Sequence, residues 1–457
     1  MTSVITRIAT SLTARSTFSS RALEMARNAV IDTIGCLLAG RSNESVVAVR
    51  RAFQAELPDE PARLVCSSST SASVMALANA TAAHALDFDD NFHPARAHAS
   101  AVLVPALLSL VRPQSNISGI DFLEAYLTGL EAQAAIGYGV NPAHYNRGWH
   151  GTSTVGAVGA AAGVTRLLGG NSEEVVHAIS IAASMASGLK GQFGTPTKPL
   201  HAGFAARNAV DAARLAMSGM RGSVDILEKR QGFLDLFGAT DSRGWDDWCA
   251  DDTSVIETRG LVVKQHPCCA STHRAIDAVL DIKRQYDLVA DDIAAIETKV
   301  GISAFRNLAF EDPLNEMQAR FSMQYCLATA FEKGRLSLED FTPKALQQSA
   351  VRQLMPRINI SAYTEEEERG QERLPHVVFV TLRDGRVLQR TRLNARGALQ
   401  DALSEDQQQA KFTDCLAWAG LEARSLYERL MNMSNRSPLF DQLRNFHSPK
   451  DHVLKPA

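Results

Sequence analysis

One run of small residues constrains this chain more than any other feature. Gly156, Ala157, Gly159, Ala160 and Gly163 stud a segment of helical length, 153–168. Glycine weakens an isolated helix by about 1 kcal/mol per residue relative to alanine. Such a run is therefore expected where a second helix packs against the first too closely to admit side chains, which makes it a mark of dense burial and not of flexibility. Stretches near 70–87, 98–111, 119–137, 172–186 and 201–218 also read as helices, many rich in Ala and Gly. Leu23, Ala26, Val30, Ile34 and Leu37 form an apolar stripe at helical spacing that closes at Gly40. The first 260 or so residues thus predict one helix after another.

The pattern changes near residue 255. Segments 293–300 and 356–363 read as strands, and HVVFVTLRDGRVLQRTRL reads as two strands turning at Asp384–Gly385. Helices near 272–285 and 317–333 stand among them, and from about 399 the chain returns to helix. The expected fold is mainly α: a large discontinuous all-helical domain (1–260 with 399–457) and a smaller α/β lid domain (261–398). A length of 457 residues suits two or three domains.

With 47 basic and 50 acidic residues the net charge is −3, which provides no field for nucleic acid or an anionic membrane. A local basic cluster remains free to bind an acidic substrate. No stretch of 18 or more apolar residues occurs, so no membrane span is expected. Ile5, Ile8 and Leu12 have amphipathic spacing and lead into the next helix, so the N-terminus reads as mature in preference to a transit peptide, and the location as cytoplasmic. The seven cysteines (36, 66, 249, 268, 269, 326 and 415) are scattered and contain no CxxC. That argues against disulfides, a zinc knuckle or an iron–sulfur cluster.

Four segments carry residues suited to chemistry. HALDFDDNFHPARAHAS (84–100) packs Asp87, Asp89 and Asp90 with His84, His93 and His98 at a helix end, where neighbours can split one another's pKa values for general acid–base work. A solvated cap cluster and a metal site are the alternatives at this point. HYNRGWHGTSTVGAVGAAAG (144–163) places Arg147 and His150 before a helix that Thr152–Thr154 could cap, a natural anion site. It is not a dinucleotide fingerprint, because no strand precedes it. GLKGQFGTPTKPLHAGFAARNAV (188–210) reads as an ordered loop carrying Lys198 and His201 ahead of a helix. VVKQHPCCASTHRAIDAV (262–279) brings Lys264, Cys269 and His273 to the boundary between the two domains, where a cleft is expected.

In this order, HALDFDD with HxS at 98–100, GWHGTSTVGAVGAAAG, GTPTKPLHAGFAARNAV, the stretch from Lys264 to His273 and ARFSMQYCLATAFEKG (319–334) resemble the MmgE/PrpD family. That family includes 2-methylcitrate dehydratase, cis-aconitate decarboxylase and iminodisuccinate epimerase. The resemblance implies a helical domain built from both chain ends, an α/β lid, a homodimer, and an active site between the domains with no metal and no organic cofactor. It places Asp87, His98, His150, Lys198 and Lys264 in or beside that site. The chain departs from the decarboxylase pattern at Asn91, where Thr is expected, and at Cys269, where His is expected. The spacing between Asp90 and His98 is slightly longer than the family pattern, which leaves His93 as a substitute for His98.

The expected function is a metal-independent lyase, a dehydratase or decarboxylase, on a small di- or tricarboxylic acid, 2-methylcitrate dehydratase-like. It would move a proton next to a carboxylate. Asp87, His98, His150 and Lys198 would act in catalysis. Asn91, Arg147, His201, Lys264, Cys269 and His273 would line the substrate. A cofactor-independent epimerase of an imino- or amino-dicarboxylate and a non-catalytic carboxylate binder are the competing readings.

Overall fold

The computed structural model describes residues 2–58, 70–238, 244–245, 253–371, 373–433 and 437–443. Cys66, Cys249 and the last part of the C-terminal helical return lie outside the described residues. The fold is mainly helical with one small sheet.

In the first part of the chain the main helices are α1 (Val4–Ala14), α2 (Ser20–Gly40), α3 (Ala72–His84), α4 (Ala99–Leu108), α5 (Gly119–Val140), α6 (Thr154–Leu167), α7 (Ser172–Met185) and α8 (Thr197–Met217). All residues of α3 are buried, so this helix runs through the centre of the bundle, enclosed on every side. It packs on α2, α4 and α8. The small-residue run sits in α6 against α5. A Cβ on Gly159 would lie 2.5 Å from the backbone nitrogen of Gln133, and one on Gly163 would lie 2.6 Å from the carbonyl of Ala125. The two backbones therefore touch where the sequence lacks side chains.

Two boundaries differ from the sequence reading in ways that matter later. The helix expected to follow the 188–197 loop begins at Thr197, so Lys198 and His201 lie on one face of its first turns. Pro196 and Pro199 allow this, because the first turn of a helix does not need their missing N–H groups. The Thr152–Thr154 hydroxyls do not cap α6. Thr152 Oγ1 accepts from the N–H of His98 (3.0 Å), Ser153 Oγ donates to the carbonyl of His201 (3.2 Å), and Thr154 Oγ1 meets His144 Nε2 (2.8 Å). They tie the loop to its neighbours instead.

The second part holds α9 (Ala270–Tyr286), α10 (Met323–Lys333) and a sheet of β1 (Ile293–Val300), β2 (Ile358–Ala362), β3 (His376–Leu382) and β4 (Val387–Arg392). Strand order is β2-β1-β3-β4. β1 pairs parallel with β2 and antiparallel with β3, and β3–β4 is the hairpin expected at Asp384–Gly385, with Gly385 at φ 90°. β3 alternates buried and half-buried residues, and α9 and α10 cover the inner face.

In the C-terminal return, α11 (Glu405–Trp418) packs on α2. The largest apolar core accordingly joins residues 4–261 to Phe412, Cys415, Leu416 and further positions up to Leu443. A separate core, from Cys268 to Leu382, surrounds the sheet.

Two glycines of α6 should respond oppositely to alanine. Gly159→Ala forces backbone apart and should cost about 1–3 kcal/mol. Gly156→Ala meets only the Val102 side chain at 3.3 Å. The gain in helix propensity should leave it neutral or stabilising by up to about 1 kcal/mol. Thermal unfolding midpoints of the two variants check the contrast.

Candidate active site

The central helix α3 ends at His84, and the chain then makes a tight turn through Asp87, whose φ of 52° is unusual for a residue other than glycine. Three buried cations from distant parts of the chain hold this turn. The Arg320 Nε donates to the carbonyl of Leu86 (2.9 Å), Lys264 Nζ to that of Asp87 (2.7 Å) and Lys411 Nζ to that of Phe88 (2.8 Å). All three side chains are at least nine-tenths buried. Lys411 also pairs with Asp32 on α2 at 2.7 Å. Beyond the turn, Asn91 exchanges both backbone hydrogen bonds with Val262, and Phe92 does so with Ala97.

Four charged groups converge on the turn. Asp87 Oδ1 accepts from Lys264 Nζ at 2.7 Å and from Lys198 Nζ at 3.1 Å. Burial opposes its ionisation, but these two ammonium groups outweigh burial and hold its carboxyl well below the usual carboxylate range. Asp89 meets His84 Nδ1 at 2.8 Å and His98 Nδ1 at 3.1 Å. Against the cost of burial, these contacts keep it ionised. Asp90 behaves differently. Burial, reinforced by Asp32 and Asp89, pushes it up to about 7 despite a hydrogen bond from Ser100. Adjacent carboxyls thus titrate far apart, as the clustering in sequence suggested.

The imidazoles follow burial. His84 is lowered to about 3, and His98 is lowered although Asp89 works the other way. His150 is driven well below its ordinary value by burial and by the neighbouring His84, Lys198, His201 and His98. Its Nδ1 lies 3.0 Å from His201 Nδ1, which leaves Nε2 without a protein partner among the described residues. The His98 and His150 rings stand 6.5 Å apart at 74°.

A small, partly open cavity lies here. Asp87, Asn91, Arg96, His98, Tyr145, His150, Phe193 and Lys198 line it from the helical side, and Cys269, Ala270, Ser271, Asn307 and Phe321 from the other. Of the residues singled out in sequence, Asp87, Asn91, His98, His150, Lys198 and Cys269 therefore meet in one place. Lys264 stands directly behind Asp87, and His201 directly behind His150. Arg147 is exposed and does not line the cavity, and His273 is buried with Nε2 against the carbonyl of Cys268. His93 is exposed, so His98 and not His93 faces the cavity. Burial, with the charge of Asp87, pushes the Cys269 thiol up, which disfavours a thiolate nucleophile.

His84, Asp87, Asp89 and His98 bring possible metal ligands within 4.8 Å of one another. Two lysine ammonium groups already balance Asp87. A divalent ion would share that carboxylate with both, so the geometry is that of an ion-pair network. The sequence reading missed Arg96, Tyr145, Phe193, Ser271, Asn307 and Phe321. All but Asn307 lie inside quoted motifs, next to residues that drew attention for their charge. Asn307 lies in none and gave no signal.

Two measurements follow from this geometry. Lys411→Met leaves Asp32 buried without its partner and should cost about 3–5 kcal/mol. Adding Asp32→Leu should restore most of that loss, as read by urea denaturation. Neutral imidazoles should also persist below the ordinary histidine pKa. In ¹⁵N-histidine NMR spectra, His150 should show no titration from pH 8 down to 6, and His201, lowered to about 4 by burial and Lys198, should titrate only well below that range.

Residues 5–245 match the model of the MmgE/PrpD N-terminal domain, and residues 266–432 match that of the MmgE/PrpD C-terminal domain. The chain is 28% identical over 396 residues to the cis-aconitate decarboxylase of Homo sapiens, which covers 84% of this chain and 81% of that protein. It is 25% identical over 346 residues to the cis-aconitate decarboxylase of Aspergillus terreus, covering 71% and 70%. To the mitochondrial 2-methylcitrate dehydratase of Yarrowia lipolytica it is 26% identical over 251 residues, covering 52% and 48%. With both domain models matched in order along the folded chain, this protein belongs to the MmgE/PrpD family.

Proposed function

We propose that this chain is a lyase that acts on a small di- or tricarboxylic acid, by dehydration of the 2-methylcitrate type, through proton transfer at the carbon next to a carboxylate. One observation carries the reading: Lys198, His98 and His150 line a single cavity, with both imidazoles held neutral by burial. The names of the relatives, decarboxylases and a dehydratase, support the reaction class.

A carbon acid beside a carboxylate is weak. Removing its proton requires a neutral base and a cation that stabilises the enediolate. Asp89 beside His98 Nδ1 fixes the tautomer with the proton on Nδ1, so Nε2 carries the lone pair. His98 is therefore the base. Lys198 pairs with the substrate carboxylate and holds its growing negative charge. Asp87 and Lys264 keep the Lys198 ammonium in place. His150, with Nδ1 turned to His201, directs Nε2 to the departing hydroxyl as a hydrogen-bond partner. The C–H bond breaks toward His98, the electron pair enters the carboxylate and then forms the C=C bond, and the hydroxyl departs as water with the proton that His98 has gained. Asn91 and Cys269 both line the cavity, at the two positions where the chain departs from the decarboxylase pattern. A neutral thiol in place of an imidazole there favours dehydration over decarboxylation. A homodimer in the cytoplasm, without a metal or organic cofactor, completes the proposal.

The 6.5 Å between the His98 and His150 rings also lets the two imidazoles stand on opposite sides of one carbon. That favours, as a second reading, epimerisation of an imino- or amino-dicarboxylate. 2-Methylcitrate, citrate, cis-aconitate and iminodisuccinate followed by NMR in D₂O separate the readings. A new or consumed double bond marks the lyase, exchange with inversion marks the epimerase, and ligand-induced thermal stabilisation without product marks a carboxylate binder. On the responsive substrate, His150→Ala and Lys198→Ala should each lower turnover by about 10²-fold or more. Unchanged rates in folded protein would refute the roles.

A further inference from the structure

The mechanism uses one end of the cavity. At the other, Arg96 lies in the turn between Phe92 and His98, half-buried, with its side chain on the cavity wall. Among the described residues no carboxylate or carbonyl accepts a hydrogen bond from its guanidinium. Its guanidinium lies over the ring of Tyr145, 5.7 Å from the centroid. The Lys190 Nζ lies against the same ring at 3.6 Å. Glu368, the acid whose charge reaches Arg96, accepts instead from the N–H of Ile302 at 2.7 Å. Two cations thus stand at this end, and no described carboxylate pairs with Arg96.

The opposing wall suits an anion as well. Helix α9 begins at Ala270 with Cys269 in the cap position, and no side chain caps it. Among the described residues no backbone carbonyl takes the N–H of Ala270 or Ser271, and the Cys269 thiol stands beside that of Ser271. Cys269, Ala270 and Ser271 all line the cavity. Asn307 joins Tyr145 (3.1 Å) to Ser271 (3.3 Å) and so closes the wall. The buried Nδ2 of Asn91, also on the lining, has no partner among the described residues. Free helix N–H groups, an unpaired guanidinium and an orphan amide donor facing one space match a carboxylate.

We propose that Arg96, with the start of α9 and the Tyr145–Asn307–Ser271 wall, forms a second carboxylate subsite, and that the substrate therefore carries a carboxylate removed from the reacting carbon. Arg96 is then a specificity-determining residue. The backbone is consistent with that role: Arg96 adopts a φ of 47°, where glycine or asparagine is the cheaper choice. The inference rests on the proposed reaction only for the meaning of "reacting carbon"; the subsite itself can be tested without turnover.

The test compares tricarballylate with methylsuccinate, which lacks one of its terminal carboxylates, by calorimetric titration of the full chain. Wild type should bind tricarballylate at least tenfold more tightly. Arg96→Gln should erase that preference by weakening tricarballylate about tenfold to 100-fold while leaving methylsuccinate nearly unchanged. Arg96→Lys, which keeps the charge and loses the fork, should recover part of it. Arg96→Gly relieves the backbone, so its unfolding midpoint should not fall even as the preference disappears. A preference that survives in Arg96→Gln, or no preference in wild type, overturns the subsite. Failure of the proposed reaction shows separately, as no chemical change in any acid of the D₂O panel while the binding preference stands.

Discussion

Three consecutive backbone carbonyls, those of Leu86, Asp87 and Phe88, are each held by a buried cation, and the rest of the site depends on that grip. A carbonyl facing inward must find a donor, and a buried cation must find acceptors, so each solves the other's problem. Arg320 comes from the unit around the sheet, Lys264 from the stretch that joins the two cores, and Lys411 from the helix that returns to the bundle. The turn is thus the point where all parts of the chain are stitched together. It is also where a residue other than glycine takes a left-handed conformation, which a loosely held turn would not maintain.

The same turn orders the electrostatics. Lysine ammonium groups stabilise the carboxylate of Asp87, and imidazoles stabilise that of Asp89. Asp90, one residue further, faces Ser100 and Asp32 and is pushed toward neutrality. Burial meanwhile denies protons to the histidines. The cavity therefore combines fixed positive charge with imidazoles that stay neutral even below the ordinary histidine pKa. Lys198 serves this arrangement because α8 begins early: Thr197 and Pro199 extend the helix back over a stretch whose glycines and prolines read as loop.

Much of this was legible in sequence for identifiable reasons. The change of period near residue 255 revealed the sheet, and the Asp384–Gly385 pair revealed its hairpin. The Gly159 and Gly163 contacts were implied by the absence of side chains. Charged residues at helix ends gave Asp87, His98, His150 and Lys198. What escaped was long-range geometry. Arg147 and Arg96 are chemically equal in sequence, yet one is exposed and the other lies on the cavity wall, because a hairpin-like turn between Phe92 and Ala97 aims the second inward. Nothing local distinguishes them. Asn307 and Phe321 reach the site only through the packing of one core on the other. The threonines and serine before α6 resembled caps, but their hydroxyls had partners across the fold that sequence does not show.

The reach of Lys411 has a consequence for how the protein is made. The residue is separated from Phe88 by 323 positions, and from its partner Asp32 by still more. On a ribosome, the bundle that surrounds Asp32 emerges long before Lys411, the lysine that pairs with it. The nascent N-terminal helices must either wait, incompletely condensed, or enclose an acid that has taken up a proton. Final consolidation of the first core is thereby deferred until synthesis has passed Lys411.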